Sequence, residues 1–355
     1  MFETLTIQSH KGPYTVEFEN EASFSISPSE DQRHYIIDKR VAEIYQTELA
    51  CILASKSVLT IEALERNKSL ECMPEYVTYF LSRGIKRGHV LIAIGGGIIQ
   101  DITCFLASVL LRGIEWRFFP TTLLAQADSC IGSKSSINVG PFKNIVGTYN
   151  PPKKVVINAS ILGSLPDVEI RSGIGEMLKV HIIAGPSAFE RISSDYAKIA
   201  ADPVLMLSYI KRSLEIKKNI IEQDEFDAGI RNKMNLGHTF GHAIESATNF
   251  GVPHGVAVTI GIDMANFMSV QFDRMHKEHF DRMHPTLKLN FCGYEVTDIP
   301  KEKFFAAISK DKKNTDSKLC LILPDAAAIP QRVECDNDEY FRESCSIYFD
   351  HIRLS

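Results

Sequence analysis

The chain has no uninterrupted apolar stretch of the ~18 residues that a membrane-spanning helix requires, so no membrane association is expected. It has no basic tract, and its formal net charge is −5. A nucleic-acid groove or a site for an anionic bilayer needs clustered Lys and Arg, so neither partner is expected. None of the eight cysteines (Cys51, Cys72, Cys104, Cys130, Cys292, Cys320, Cys335 and Cys345) forms a CxxC pair, and their spacing is irregular. That excludes a disulfide framework and leaves them as small buried or surface thiols, which points to a reducing, cytoplasmic setting. The opening MFETLTIQSHKG carries an early Glu and lacks the apolar core of a secretion signal. Neither an internal repeat nor a low-complexity linker is visible, so a solenoid is excluded.

What remains is an ordinary globular composition, 45% hydrophobic and 23% charged. At 355 residues the chain exceeds the size of a single core and predicts two domains. Strand and helix alternate through the first part. HYIIDKRV (34–41) reads as a strand, VAEIYQTELACILA (41–54) as a helix and SVLTIEA (57–63) as a strand. LECMPEYVTYFLSRG (70–84) reads as an amphipathic helix closed by Gly84, and HVLIAIGGG (89–97) as a buried strand. IIQDITCFLASVLLRG (98–113) is a helical run, followed by strand and turn in IEWRFFPTTLL. This alternation predicts an α/β domain over 1–164 with a parallel sheet. From about residue 165 helical periodicity dominates until LCLILP (319–324), so 165–355 is expected to be mostly α-helical.

Three segments carry chemistry. Gly95, Gly96 and Gly97 sit between a buried strand and a helix start, where small residues let a backbone approach a phosphate and free N–H groups face it. Asp101 is placed in the first turn of that helix. PTTLLAQADSCIGSKSSINVGPFKNIVGTYNPP (120–152) is the densest polar stretch. Its hydroxyls, amides, lysines and glycines read as a loop for phosphate or polyol recognition.

The third segment, RNKMNLGHTFGHAIESATNFGVPHGVAV, contains His238, His242 and His254. Upstream, GIGEMLKVH offers Glu176 and Lys179 on one helical face. A carboxylate with two imidazoles suits a catalytic metal with an open position, and spacing alone does not select which two histidines ligate. No Glu follows His238, so the HExxH pattern is absent. Arg231 and Asn235 are expected a helical turn apart beside the histidines, with Lys217 nearby, and KDKKNTDSK (310–318) is a basic run before a strand.

Together these motifs resemble the 3-dehydroquinate synthase family of sugar phosphate cyclases. The likeness runs in order through ALERNKSLE, AIGGGIIQD, the Arg-Gly of LLRGIEW, PTTLLAQADSCIGSK, FKNIVGTY, GEMLK, IKKNIIEQDEFDAGIR, NLGHTFGHAIE, PHG and KDKKN, about Glu65 to Lys313. The resemblance implies an NAD-binding α/β domain followed by a helical metal- and substrate-binding domain. It implies Glu176, His238 and His254 as ligands to Zn2+ or Co2+. It assigns NAD contacts to Glu65, Lys68, Gly95, Gly96, Gly97, Asp101, Thr121, Thr122 and Lys143, with Asp38 at the adenosine end. His242, Lys179, Asp128 and Lys134 take catalytic positions, and Arg112, Asn144, Lys217, Arg231, Asn235, Lys312 and Lys313 contact substrate. Arg112 matches an arginine that reaches the neighbouring subunit's site in family homodimers.

The activity implied is cyclisation of 3-deoxy-arabino-heptulosonate 7-phosphate to 3-dehydroquinate, by transient oxidation with NAD, β-elimination of phosphate, reduction and aldol closure. A cyclase for another sugar phosphate, such as sedoheptulose 7-phosphate, and a metal-dependent polyol dehydrogenase are the alternatives. The chain departs from the family's usual pattern at Ser133, Phe142, Asp227, Cys104 and Met234, and its GTYNPP resembles valiolone-type cyclases.

Overall fold

The computed structural model describes residues 3–19, 32–310 and 318–355. The chain forms two compact units, one running to Leu165 and including Lys217–Phe226, the other comprising Pro166–Ile216 and Asp227–Ser355. The second unit is therefore interrupted: one helix hands its last residues and the following loop back to the first unit.

The strands of the first unit are β1 (Glu3–Ile7), β2 (Tyr14–Glu19), β3 (Arg33–Asp38), β4 (Val58–Ile61), β5 (Val90–Gly95), β6 (Glu115–Pro120), β7 (Ile137–Val139), β8 (Phe142–Val146) and β9 (Lys154–Asn158). Its helices are α1 (Lys39–Ile44), α2 (Ala50–Leu53), α3 (Met73–Ser82) and α4 (Gly97–Val109). Seven strands pair in the order β1-β2-β9-β6-β5-β3-β4, and β7 and β8 form a separate antiparallel hairpin. Every pair from β4 to β2 is parallel, and only the edge strand β1 runs antiparallel, against β2. All six residues of β5 are buried, as a strand covered on both faces requires. The chain steps outward from β3 to β4, then returns to β5 and proceeds the other way to β6. The order reverses between β3 and β5, and the crevice beyond their carboxyl ends is the favoured ligand position of an open α/β sheet.

Several elements differ from the sequence reading. Segment 34–41 leaves the strand at Asp38, whose carboxylate caps α1 by accepting the Arg40 N–H at 3.0 Å. Segment 41–54 breaks into α1 and α2, and both pieces pack on one cluster through Val41, Ala42, Leu49 and Ile52. Gly84, at φ 72, does follow the end of α3, where the left-handed backbone favours glycine. The run 98–113 stops at Val109, and Leu111 and Arg112 take φ values of 52 and 69. The stretch read as a polar loop contains a π turn (Ala125–Ser129) and the β7–β8 hairpin.

The second unit contains α5 (Asp167–Ile183), α6 (Pro186–Ile199), α7 (Pro203–Ile221), α8 (His238–Ala247), α9 (His254–Gln271), α10 (Lys277–Asn290), α11 (Lys301–Ser309), the antiparallel pair β10 (Lys318–Pro324) and β11 (Pro330–Asp336), and α12 (Glu339–Ile347). Helix α9 is buried from Gly255 to Ser269, apolar nearly all round, and packs against α5, α8, α10, α12 and β10. Its wholly buried Asp263 is satisfied by Tyr348 Oη at 2.8 Å and His284 Nδ1 at 3.0 Å. The long helical run after Gly255 divides into α9 and α10 at Asp273, which takes φ 53.

Glycine sets the spacing of these helices. A Cβ on Gly255 would stand 1.9 Å from the Ser172 carbonyl oxygen, one on Gly175 2.3 Å from that of Gly255, and one on Gly261 2.1 Å from that of Gly237. Backbone therefore touches backbone where α5, α8 and α9 cross.

Candidate active site

In the first unit, Ile37 of β3 pairs with Ile94 of β5, so Asp38 and Gly95 leave adjacent strand ends at one level. Gly96 stands at the N-cap of α4 with no side-chain cap, which leaves the first N–H groups of a thirteen-residue helix directed outward. A Cβ on Gly96 would meet Thr122 Cγ2 at 3.0 Å, whereas one on Gly97 would find its nearest neighbour, Ser129 Oγ, at 4.0 Å. This is a cradle with its positive end open, at the strand-order reversal. Thr121 is buried and its N–H donates to the Gly95 carbonyl at 2.9 Å; Thr122 Oγ1 accepts from the Ala125 N–H at 3.2 Å. Burial raises the Asp38 carboxyl, opposed by the Arg40 N–H and guanidinium.

Asp101 lies one residue beyond the first turn of α4, because the helix begins at Gly97. It joins a network. Lys68, 6% exposed, donates to Asp101 Oδ2 at 3.0 Å and to Asn144 Oδ1 at 2.9 Å, and stands 3.5 Å from Glu65 Oε1. Ser136 donates to Asp101 from its N–H at 2.9 Å and its hydroxyl at 3.1 Å. Asn138 donates to Glu65 Oε1 at 2.8 Å. Burial raises the Glu65 carboxyl, but Asn138, Lys68 and Lys143 outweigh it and hold the group below its usual range. Glu65, Lys68, Asp101 and Asn144 are thus one cluster. Ser136 and Asn138 belong to the polar stretch read from sequence, but their contacts to Asp101 and Glu65 follow only from the fold of the β7–β8 segment.

Asp128 lies on the π turn, a distortion common at functional positions. Lys217 Nζ stands 2.7 Å from both the Asp128 carboxylate and its carbonyl oxygen. A reciprocal pair, Ser129 Oγ to Gln100 Oε1 and Gln100 Nε2 to the Ser129 carbonyl, both 2.6 Å, fastens this turn to α4. Lys134, Lys143 and Arg112 are exposed.

In the second unit, Glu176 and Lys179 are both nearly inaccessible, and Lys179 Nζ donates to Glu176 Oε2. The other oxygen, Oε1, is buried without a hydrogen-bond partner. It lies 3.7 Å from Nε2 of His238 and 3.5 Å from Nε2 of His254. Donor atoms around a tetrahedral Zn2+ with bonds of ~2.1 Å stand about 3.4 Å apart, so these three atoms have the spacing of metal ligands. His238 also presents Nδ1 to the Leu236 carbonyl at 3.2 Å, and His254 presents Nδ1 to Glu245 Oε2 at 3.3 Å.

His238 is held well below the usual imidazole range by burial, then by Lys179, His242 and His254. Desolvation also acts against charge on His254, but Glu245 and Glu176 outweigh it and raise that group. The ligand atoms of His238, His242 and His254 lie within 4.8 Å of one another, so an all-histidine set is the geometric rival. Gly175, Gly237 and Gly255, the residues before Glu176, before His238 and after His254, all stand at the close helix crossings. The glycines that permit those approaches are therefore what brings the three donors into reach.

Arg231 is 8% exposed and Asn235 partly buried, on a 3-10 turn (Ile230–Asn235) that packs against α5. Left-handed Gly237, at φ 76, separates this turn from α8, so the two do not continue the helix of the histidines. Asn235 Nδ2 donates to the Asn232 carbonyl at 3.2 Å. Lys312 and Lys313 lie outside the described residues.

Comparison with known proteins matches two family models in succession along the chain. Residues 58–172 match the model of the 3-dehydroquinate synthase N-terminal domain and residues 173–314 that of the C-terminal domain. The 3-dehydroquinate synthase of Acetivibrio thermocellus is 36% identical over 284 residues, 80% of this chain and 79% of that protein. Among solved structures, 2-deoxy-scyllo-inosose synthase complexed with carbaglucose-6-phosphate, NAD+ and Co2+ superposes with a TM-score of 0.83 at 21% identity, covering 97% of this chain and 99% of that one. The 2-epi-5-epi-valiolone synthase of Streptomyces hygroscopicus subsp. jinggangensis, with NAD+ and Zn2+ bound, gives 0.81 at 22%, covering 95% and 96%. At such identity the two structures establish a common fold, while the sequence match over both halves goes further: the chain belongs to the 3-dehydroquinate synthase family.

Proposed function

We propose that this chain is a 3-dehydroquinate synthase, a phosphate-eliminating carbon–oxygen lyase that closes 3-deoxy-arabino-heptulosonate 7-phosphate to 3-dehydroquinate. The observation that carries the reading is the buried, unpartnered Oε1 of Glu176, held 3.7 and 3.5 Å from two imidazole nitrogens. Glu176, His238 and His254 hold Zn2+ or Co2+. The cradle of Gly95, Gly96 and Gly97 takes the NAD+ pyrophosphate, Asp38 the adenosine end, and Glu65, Lys68, Asp101, Thr121, Thr122 and Lys143 the rest. Bound NAD+ supplies a reversible hydride acceptor and the bound metal a Lewis acid, and neither is consumed.

The chain's own side chains orient the substrate and handle its charge. Lys179 neutralises the far oxygen of Glu176 and leaves Oε1 as the donor. Arg231 presents a planar fork to the substrate carboxylate, with Asn235 and Lys217 beside it in role. Lys134, Asn144, Arg112 and the Lys312/Lys313 pair hold phosphate, and Asp128 fixes the ammonium of Lys217. His242, exposed on α8, carries the proton. The enzyme works as a cytoplasmic homodimer. Among the described residues no helix is long and apolar enough to cross a membrane.

Phosphate release from purified protein with NAD+, Zn2+ and each candidate sugar phosphate tests the assignment. The heptulosonate should release phosphate with no accumulation of NADH. Faster turnover of sedoheptulose 7-phosphate overturns the substrate, and stoichiometric NADH points to the dehydrogenase alternative. The all-histidine metal set makes an opposite prediction for one variant: His242→Ala should keep its metal and lose rate, whereas loss of metal would favour the imidazole triad.

A further inference from the structure

Glu245 has no part in the chemistry assigned so far. It follows His238 by seven residues and His242 by three on α8, so it shares their face. Its backbone carbonyl accepts the Phe250 N–H at 2.7 Å, and its side chain, 13% exposed, places Oε2 3.3 Å from Nδ1 of His254. The opposite nitrogen of that ring is the one 3.5 Å from Glu176 Oε1. The imidazole therefore lies between two carboxylates, one at its ligating edge and one behind it. His238 is supported differently, by the neutral Leu236 carbonyl at 3.2 Å.

We propose that Glu245 is a positioning residue for the metal: it accepts the Nδ1–H of His254, fixes Nε2 as the donor and strengthens that ligand. This rests on the reading of Glu176, His238 and His254 as the ligands. A rear carboxylate locks both tautomer and ring orientation, and loss of such an outer partner typically weakens metal binding by ~10–100-fold. His254 needs this support because its side chain is 36% exposed, whereas that of His238 is more enclosed at 17%.

Zinc affinity, measured by competition with a chromogenic chelator on the wild-type chain and on Glu245→Ala, Glu245→Gln and His254→Ala, tests this without reference to turnover. Glu245→Ala should bind Zn2+ about 10–100-fold more weakly. Glu245→Gln, which keeps shape and an acceptor oxygen but not the charge, should fall between it and the wild type. The Co2+ absorption spectra of both variants should shift, and the melting temperatures of the metal-free proteins should match the wild type. A merely structural role would lower that melting temperature and leave the spectrum unmoved. If both Glu245 variants bind Zn2+ like the wild type while His254→Ala loses it, the proposal fails and the ligand reading stands. If His254→Ala itself keeps full affinity, the ligand reading fails and takes the proposal with it. Should Glu245→Ala not fold, Glu245→Gln decides alone.

Discussion

Arg231 is the residue on which substrate choice turns. Arg231 is buried, with 8% of the residue exposed, so a carboxylate facing its guanidinium would be only weakly screened by water. A heptulosonate offers a carboxylate matched to the planar fork, and a neutral heptulose phosphate does not. Losing a charged hydrogen-bond partner costs about 1.5–3 kcal/mol, so Arg231→Ala should lose roughly ten- to hundredfold in kcat/KM with the heptulosonate. Its effect on sedoheptulose 7-phosphate should be small, and Arg231→Lys should not restore the loss. Equal losses with both substrates would remove the carboxylate role. At this scale the sequence was informative about residue type. Glu176 and the three histidines His238, His242 and His254 stand out as metal-ligating types flanked by small residues, and only the family resemblance selects His238 and His254 among the three. It was less informative about direction. Arg231 and Asn235 suggest one helical face by their spacing, but a 3-10 turn has three residues per repeat, so positions four apart diverge. Glu245 was visible as the last letter of GHAIE and meaningless until α9 brought His254 beside it.

At the scale of elements, the donor set depends on how closely helices cross. Gly255→Ala would drive a Cβ to 1.9 Å from the Ser172 carbonyl oxygen, and only separation of α5 from α9 relieves that. The expected cost is about 3 kcal/mol or more, above the common range for overpacking because backbone, not a rotamer, must move. Bound zinc should fall with the melting temperature, since Glu176 and His254 lie on the two helices being parted. Gly241→Ala is the control. Its Cβ meets α9 backbone at 3.0 Å, a contact small shifts absorb, and alanine favours the helix by about 1 kcal/mol. It should stay within about 1 kcal/mol of wild type in denaturant melts, and equal damage in both variants would remove this account.

The same physics explains which elements the sequence made legible. Strand β5 reads as an unbroken apolar run because it is covered on both faces, and α7 reads as a helix from its periodicity. The strands β1, β2 and β11 alternate polar and apolar residues, as in the half-buried pattern of β2, and lack the unbroken apolar run of β5. The β7–β8 hairpin hides in a polar stretch because β8 is largely exposed, so no hydrophobic pattern marks it. Val41, Ala42, Tyr45, Leu49 and Ile52 keep helical spacing across the break between α1 and α2, so periodicity does not mark it.

Two consequences belong to the whole molecule. Each unit buries a neutral histidine: burial, with His89, lowers His34 to about 4, and burial lowers His181 to about 4 against its hydrogen bond to Met177. Below pH ~6.5 the unfolded chain takes up protons that these folded imidazoles refuse, so stability rises with pH across the window from about 4 to 6.5 and is complete above it. Melting temperature should fall steadily from pH 7 to pH 4.5, and His181→Phe should flatten that slope; an unchanged slope would show that other groups govern acid lability.

The second consequence concerns assembly, and begins with backbone strain. Leu111, Arg112 and Gly113 have φ values of 52, 69 and 118, three consecutive positive angles of which only the last suits its residue. Left-handed backbone costs a side-chain-bearing residue about 1–2 kcal/mol. The result is a sharp exit from α4 that holds Arg112 exposed at the edge of the first unit. In the proposed homodimer Arg112 serves the neighbouring subunit's phosphate site, whereas Glu176 serves its own. A mixture of Arg112→Ala and Glu176→Gln chains separates these roles. Each homodimer should be nearly inactive. In a heterodimer, the subunit carrying Arg112→Ala keeps its own Glu176 and receives Arg112 from its partner, so one complete site is rebuilt. With random exchange of subunits, half the dimers are mixed and one of their two sites is whole, giving about a quarter of wild-type activity. If Arg112 acts within its own chain, no site in the mixture is complete and activity stays at background.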